Sequence, residues 1–273
     1  MGSISRTYWR TDQARDLDFL TASYNRGEAE CHFHHGFTIS AVESGSLPML
    51  FRDFRAILHP GELLFMGPDV PHSFDGGHQV DGCSYRTLTH PGGRNYRELE
   101  EMLKCRRNSI CIIRDEALWR DFLRGVKGVE EGESRNVDEV DELSRNLFSD
   151  ASRHEIWKFD VRIPQVRAAK RYIDANYRKS PDIDEIATAS GLSPRHFTRL
   201  FKSEVGMTAH RYLNQLKVNA ARKMLAAGVP MLWLTYELGF TDQSHFSKTF
   251  SKLTGVSPLR YASGTVSKEQ AAV

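Results

Sequence analysis

The sequence predicts an α+β chain of two unlike parts. The first is an N-terminal β-barrel of jelly-roll kind with helices after it; the second is an all-α domain of two helix-turn-helix units joined by a long helix. Three observations carry this reading. Short apolar runs separated by turn clusters fill residues 17 to 90, and a pattern of helix, glycine turn and helix occurs twice in the last third of the chain. Charge also divides: residues 1 to 160 hold 20 Lys and Arg against 27 Asp and Glu, a net of −7, and the remainder hold 17 against 8, a net of +9. The whole-chain charge of +2 hides that division. A basic half is what a segment that meets a polyanion requires.

At 273 residues, 40% hydrophobic and 26% charged, the chain suits about two domains and is neither disordered, collagen-like nor disulfide-dense. Its apolar runs, such as Ala56 to Leu58 and Leu63 to Met66, are far below the roughly 18 residues of a membrane span. Arg6, Arg10, Asp12 and Asp16 near the amino terminus leave no apolar leader, so a cytoplasmic location without a membrane partner is expected. Cys31, Cys83, Cys105 and Cys111 form no Cys-x-x-Cys pair, and reduced structural thiols are expected.

The elements follow in order. Phe37 to Val42, Met49 to Phe51, Leu63 to Met66 and Ser84 to Leu88 read as strands. Glu43-Ser44-Gly45-Ser46, His59-Pro60-Gly61, Gly67-Pro68-Asp69 and Asp75-Gly76-Gly77 supply the turns. From about Tyr96 to Asp150 the period turns helical, with Leu118, Phe122 and Leu123 on one stripe and Val140, Leu143 and Leu147 on another. These stripes should pack on the barrel or on a second subunit. Glu130 to Glu142 carries seven acidic residues in thirteen and reads as a solvated face. Residues 152 to 164 lack a clear period and mark a boundary.

Val166, Ala169, Ile173 and Tyr177 then line a first helix, and Ser180-Pro181-Asp182 caps the next. Here the repeat begins. Its first copy is Ile186-Ala187-x3-Gly191-Leu192-Ser193-x2-His196-Phe197-x3-Phe201-x4-Gly206, and its second is Leu234-Thr235-x3-Gly239-Phe240-x4-His245-Phe246-x3-Phe250-x4-Gly255. The offset is 48 residues at the turn glycines and 49 at the phenylalanines, so the second turn holds one extra residue. Gly191 and Gly239 sit where the chain must turn left-handed after a helix. Ser193 with Pro194, and Thr241 or Asp242, are placed to cap the following helices. Phe197, Leu200 and Phe201 face inward, as do Phe246, Phe250 and Leu253. The opposite faces present Arg195, Thr198, Arg199 and Lys202 in the first copy and Gln243, Ser244, Ser247 and Lys248 in the second, donors suited to base edges and phosphates. A helix from Thr208 to Ala227, about 30 Å long, would set the copies close to one turn of B-DNA apart, about 34 Å.

The segment Arg167 to Tyr261, with Gly239-Phe240-Thr241-Asp242-Gln243-Ser244-His245-Phe246 and Gly255-Val256-Ser257-Pro258-Leu259-Arg260-Tyr261, resembles the DNA-binding domain of the AraC/XylS family of bacterial transcription regulators. The resemblance implies base-reading positions at Arg195, Thr198 and Arg199 and at Gln243, Ser244, His245 and Lys248. It implies promoter DNA as partner, with RNA polymerase and a second copy of the chain as further partners. Thr235 stands where the family usually has alanine, and the apolar Leu232 and Trp233 read as packing residues or as a contact with the amino-terminal domain or polymerase.

His32-Phe33-His34-His35, Leu58-His59-Pro60-Gly61-Glu62-Leu63 and Gly67-Pro68-x2-Pro71-His72-Ser73 resemble the cupin-type effector domain carried by many members of that family. The implied organisation is an effector domain at 1–95, a helical dimerisation or linker region at 96–160 and the DNA-binding domain at 161–265. Metal cupins hold iron, manganese or zinc through His-x-His, a glutamate and a later histidine, which raises an enzyme alternative. His32, His34 and His72 match three of those ligands. The glutamate, expected about four or five positions after the second histidine, falls on Thr38 and Ile39, and Glu43 comes nine positions after His34. No metal, cofactor or catalytic residue is therefore expected. The reading is a small-molecule pocket lined by His32, His34 and His72 with Tyr24, Phe37 or Tyr85 as walls, the alternative being histidines satisfied within the core. An effector-independent DNA-binding regulator is the remaining alternative.

Overall fold

A computed structural model describes residues 4–9, 17–24, 31–74, 82–90, 108–132, 140, 142–144, 146, 154–263 and 270–271. The Asp75 to Gly77 turn, residues 96–107 with Cys105, Leu147, much of the Glu130 to Glu142 run and the side chain of Tyr24 lie outside these residues.

The N-terminal domain consists of two antiparallel sheets. The larger comprises β1 (Ile4–Trp9), β2 (Asp18–Tyr24), β3 (Phe37–Ser44), β6 (Glu62–Met66), β8 (Cys83–His90), β9 (Ser109–Arg114), β10 (Ile156–Lys158) and β11 (Gln270–Ala271), in the order β10-β9-β6-β3-β8-β2-β1-β11. The smaller has β4 (Leu47–Phe51) between β5 (Arg55–Leu58) and β7 (His72–Phe74). The two face each other as a jelly-roll sandwich that does not close into a barrel. Alternation sorts the side chains. Leu64 and Met66 point between the sheets with Leu47, Met49 and Leu58, while Leu63 and Phe65 point to the far face.

That far face is covered by helix α1 (Glu116–Glu130), whose N-cap Asp115 accepts from the backbone N–H of Ala117 and Leu118. Phe122, Leu123, Val126 and Val129 of α1, with Val140, join Phe37, Ile39 and Phe65 in one core, and Leu118 and Leu143 pack against it. The described residues of both stripes therefore pack on the sheet of their own chain. The sheet also does not stop at residue 95. Ser109–Arg114 pairs with β6, and Ile156–Lys158 pairs with β9 in turn. The run Ile110-Cys111-Ile112-Ile113 is buried and rich in β-branched isoleucine, so the sheet claims it just before helix α1.

The C-terminal domain is helical: α2 (Pro164–Asn176), α3 (Ile183–Ala189), α4 (Pro194–Val205), α5 (Ala209–Ala226), α6 (Met231–Glu237), α7 (Gln243–Thr254) and α8 (Pro258–Ser263). Asp182 and Glu185 close a reciprocal capping box at α3. Asp242 caps α7 by accepting from His245 N–H at 2.7 Å. Ser193 occupies the N-cap of α4 but makes no side-chain capping bond, so Pro194 at the first helical position supplies the start there. Gly191 and Gly239 have φ of +70° and +67°, the left-handed turns that the repeat requires. Phe197 and Phe201 are at the centre of the first unit's core, and Phe246 and Phe250 at that of the second. Among the described residues no helix is long and apolar enough to cross a membrane.

Candidate nucleic-acid interface and effector pocket

With their phenylalanines buried, α4 and α7 expose the opposite faces. Arg195, Thr198, Arg199 and Lys202 are exposed on α4; on α7, Ser244, His245 and Lys248 are exposed and Gln243 is half-buried. Thr198 Oγ1 donates to Pro194 O at 2.9 Å, leaving its lone pairs outward. His245 Nδ1 lies 2.9 Å from Thr241 Oγ1, which orients the ring. Between the units, Lys217 of α5 fixes their relation. Its Nζ donates to Ser180 Oγ at 2.5 Å and to Gly239 O at 2.8 Å and sits 4.9 Å from the Phe240 ring centre. Burial lowers the Lys217 pKa to about 8. Thr235 fits its helical site by donating back to Met231 O at 2.7 Å. Leu232 and Trp233 are not packing residues: they are 56% and 55% exposed, beside Tyr236 at 63%.

Between the sheets lies a cavity with about 620 Å³ of atom-free space, its mouth included. The structure brings His32, His34, His72 and Tyr85 together in its wall, with the hydroxyls of Thr38, Ser40 and Thr87 and the apolar Leu20, Met49 and Phe74. Phe37 is not among them. Even-numbered residues of β3 face the cavity, and Phe37 points the other way, stacking on Phe65 at 5.6 Å beneath α1. Lys252 and Leu253 of α7 contribute to the wall from the C-terminal domain.

The three imidazoles are close, with ring centres at 4.3 Å for His32 and His72, 5.1 Å for His32 and His34 and 5.2 Å for His34 and His72. His72 Nδ1 lies 2.9 Å from Val70 O, so that nitrogen carries the proton and Nε2 keeps its lone pair. His34 Nδ1 is buried with no hydrogen-bond partner in its surroundings. Burial lowers the His72 pKa to about 4 and pushes His34 well below its usual value, the latter reinforced by His32, His72 and Arg222. Both rings are neutral near pH 7, able to donate or accept through their nitrogens. Their ligand atoms, with those of His32, fall within 4.8 Å of one another, close enough to share a metal ion. The described wall offers no carboxylate to complete such a set, since Thr38 faces the cavity where an acid was expected.

The two sites are joined by contacts that sequence reasoning missed. Asp18 of β2 is buried and accepts from Arg222 Nη2 of α5 at 2.6 Å and from Tyr261 Oη of α8 at 3.0 Å. Phe33 is fully buried in the core of the first helix-turn-helix unit. Arg52 donates to Asp160 O at 3.2 Å and to Glu204 O at 2.6 Å, at the end of α4. A cleft of about 900 Å³, open solvent included, separates Arg52 and Pro71 from Arg199 and Lys202. The sequence held one signal, the polar residues Gln215, Asn219 and Arg222 along one side of α5. All three are buried, which is unusual for polar side chains.

Residues 16–155, just over half of the chain, match the family described as AraC-like ligand binding domain, and residues 186–264 match a helix-turn-helix domain family. Among curated relatives, the uncharacterized HTH-type transcriptional regulator YbfI of Bacillus subtilis is 26% identical over 78% of this chain and 80% of its own length. The transcriptional activator RhaS of Pectobacterium carotovorum is 23% identical over 88% and 89%. Among solved structures, ToxT of Vibrio cholerae, bound to (E)-4-(8-methylnaphthalen-1-yl)but-3-enoic acid, shares the fold at a TM-score of 0.53 and 11% identity, covering 97% of this chain and 98% of ToxT.

Proposed function

Because the chain belongs to the AraC/XylS family of bacterial transcription regulators, DNA-binding proteins with a ligand-binding domain, we propose specific residues for each task. Arg195, Thr198, Arg199 and Lys202 of α4 and Gln243, Ser244, His245 and Lys248 of α7 contact promoter DNA. His32, His34, His72 and Tyr85 recognise the effector. The observation that carries the DNA reading is the duplication: two helices with buried phenylalanines and polar outer faces flank one 18-residue helix. That helix spans about 27 Å, which suits entry into successive major grooves. Selection from random duplex DNA tests it. The expected product holds two short motifs with centres about 10 base pairs apart, and a single uninterrupted motif would refute the paired reading. Arg199→Ala should lose about 1 to 3 kcal/mol of discrimination between operator and random DNA if it reads a base. A uniform loss on both makes it a phosphate contact.

The pocket combines neutral imidazoles and hydroxyls with an apolar wall, and suits a small organic molecule bearing hydroxyl, carbonyl or carboxylate oxygens. Thermal-shift screening against sugars, aromatic acids, fatty acids and amino acids tests it, and His34→Ala should abolish any shift found. Metal analysis of the purified chain separates this from the metal alternative, which stoichiometric iron, manganese or zinc would support. Binding and not catalysis is the inferred role, in keeping with relatives that are transcription regulators. The effector unit is inferred to run to about residue 158, beyond the 95 expected, because β9 and β10 complete its sheet. A homodimer is inferred, its face excluding Phe122, Leu123 and Val126 of α1, which are buried on the sheet. RNA polymerase is inferred as a further partner, for which Leu232, Trp233 and Tyr236 supply exposed apolar surface.

A further inference from the structure

Residues 31–35 run between the pocket and α5, and their groups alternate between the two domains. The side chains of His32 and His34 line the pocket, whereas Phe33 lies between them in sequence and stacks on Tyr212 of α5 at 5.1 Å between ring centres. The carbonyls alternate in the same sense. Cys31 O accepts from Arg211 Nε at 2.6 Å and Phe33 O from Asn219 Nδ2 at 3.5 Å, both on α5. His32 O accepts from His72 N–H at 2.8 Å and His34 O from Asp69 N–H at 2.8 Å, both in the N-terminal domain. Extended backbone places successive side chains on opposite sides, so one short strap is at once a wall of the pocket and part of the helical core.

The receiving surface is a single face of α5. Arg211, Tyr212, Gln215, Asn219 and Arg222 recur at helical spacing, and Gln215 and Asn219 are joined by a 3.1 Å hydrogen bond. Beyond its ends, α5 connects α4 to α6 and α7, so its position sets the spacing of the recognition helices.

We propose that residues 31–35 are the element that couples the pocket to the DNA-reading helices, through Phe33 and the Cys31 and Phe33 carbonyls held by α5. The proposal rests on the pocket being the effector site. A displacement of the His32 and His34 rings moves a backbone whose next side chain is locked in another core. Close-packed cores do not yield by continuous deformation, so α5 takes up the shift. By linkage, whatever factor pocket occupancy applies to operator affinity, operator binding applies to effector affinity.

Hydrogen exchange on the full chain tests this without any effector. His34→Ala perturbs the strap, and Met49→Ala perturbs the same pocket from β4, off the strap. His34→Ala is expected to raise exchange across residues 209–226 by about tenfold, while Met49→Ala changes the strands of the N-terminal domain and leaves α5 within about twofold of wild type. Adding His34→Ala to an Arg211→Ala, Asn219→Ala background should produce a smaller further change in α5 than in the wild-type chain, with Phe33 on Tyr212 as the remaining route. Should His34→Ala unfold the sheets, His34→Gln replaces it in the same comparison. The proposal is overturned if the His34 variants leave α5 unchanged, or if Met49→Ala moves α5 equally. A ligand found by thermal shift with α5 indifferent to the strap would remove the coupling alone. A working strap in a pocket that the metal analysis shows to be a metal centre would remove the effector reading alone.

Discussion

Asp18→Ala is the substitution that most directly tests how the two domains are held together. Asp18 is 3% exposed and Arg222 7%, so the pair is closed to water in the docked chain. The carboxylate accepts from Arg222 Nη2 at 2.6 Å and from Tyr261 Oη at 3.0 Å, and Arg222 Nε also donates to Tyr261 Oη at 3.1 Å. Removing the carboxylate withdraws the counter-charge it gives Arg222 and the acceptor it gives Tyr261. Truncating one partner of a buried pair costs about 3 to 5 kcal/mol, because the remaining charge stays in a poorly solvating place. Part of that cost is avoided if the domains separate and Arg222 becomes hydrated. Urea unfolding of the full chain, followed by tryptophan fluorescence and by helical circular dichroism, should therefore show two effects. The transition shifts to lower urea, and the probes, coincident in the wild type, separate as the domains unfold independently. Asp18→Leu combined with Arg222→Met should recover part of the loss, since an apolar pair of similar volume replaces both charges. A loss below about 1 kcal/mol, the value of an exposed pair, with coincident probes would refute the buried-pair reasoning and mean that water reaches this contact in solution.

The pocket histidines predict an acid limb. The unfolded chain protonates His72 below about pH 6.5, while the folded pKa is about 4. The stability it contributes is complete above pH 6.5 and lost as pH falls toward 4; at pH 5 the loss is about 2 kcal/mol, read as a lower melting temperature that His72→Gln should reduce, with His34 keeping the rest of the limb. Gly239→Ala and Gly191→Ala should differ, although their φ values are alike. A Cβ at Gly239 would lie 2.3 Å from Arg178 O, whereas at Gly191 it meets nothing within 4 Å. The Gly191 variant should lose about 1 to 2 kcal/mol from the left-handed backbone and the Gly239 variant clearly more, so equal losses in urea unfolding would contradict this packing. Lys202→Ala and Lys248→Ala should each reduce the slope of log affinity against log salt by about 1 if they contact phosphates, and an unchanged slope would remove them from that role.

What the sequence determined by itself was local. Gly191 and Gly239 announce left-handed turns, Asp182 and Asp242 announce caps, and phenylalanines at i and i+4 announce buried helix faces, because each rule involves atoms a few residues apart. The same holds for the alternation in β3, although which parity meets the pocket depended on where α1 packs, and Phe37 fell on the other side. Ser109–Arg114 and Ile156–Lys158 were misread for a related reason: a short strand is recognised by its neighbours in the sheet, and those neighbours are β6 and β9, distant in sequence. The pairing of partners across the domains lay beyond the sequence, although the polar side of α5 hinted that something meets it. Asp18 and Arg222 are 204 positions apart, and each alone is an ordinary surface charge. Likewise Phe33 reads as an aromatic residue between two pocket histidines until the fold sets Tyr212 beside it. Long-range pairing of this kind has no local period to betray it. It is decided by the tertiary structure, in which the buried carboxylate of Asp18 meets the guanidinium of Arg222 and Phe33 meets Tyr212.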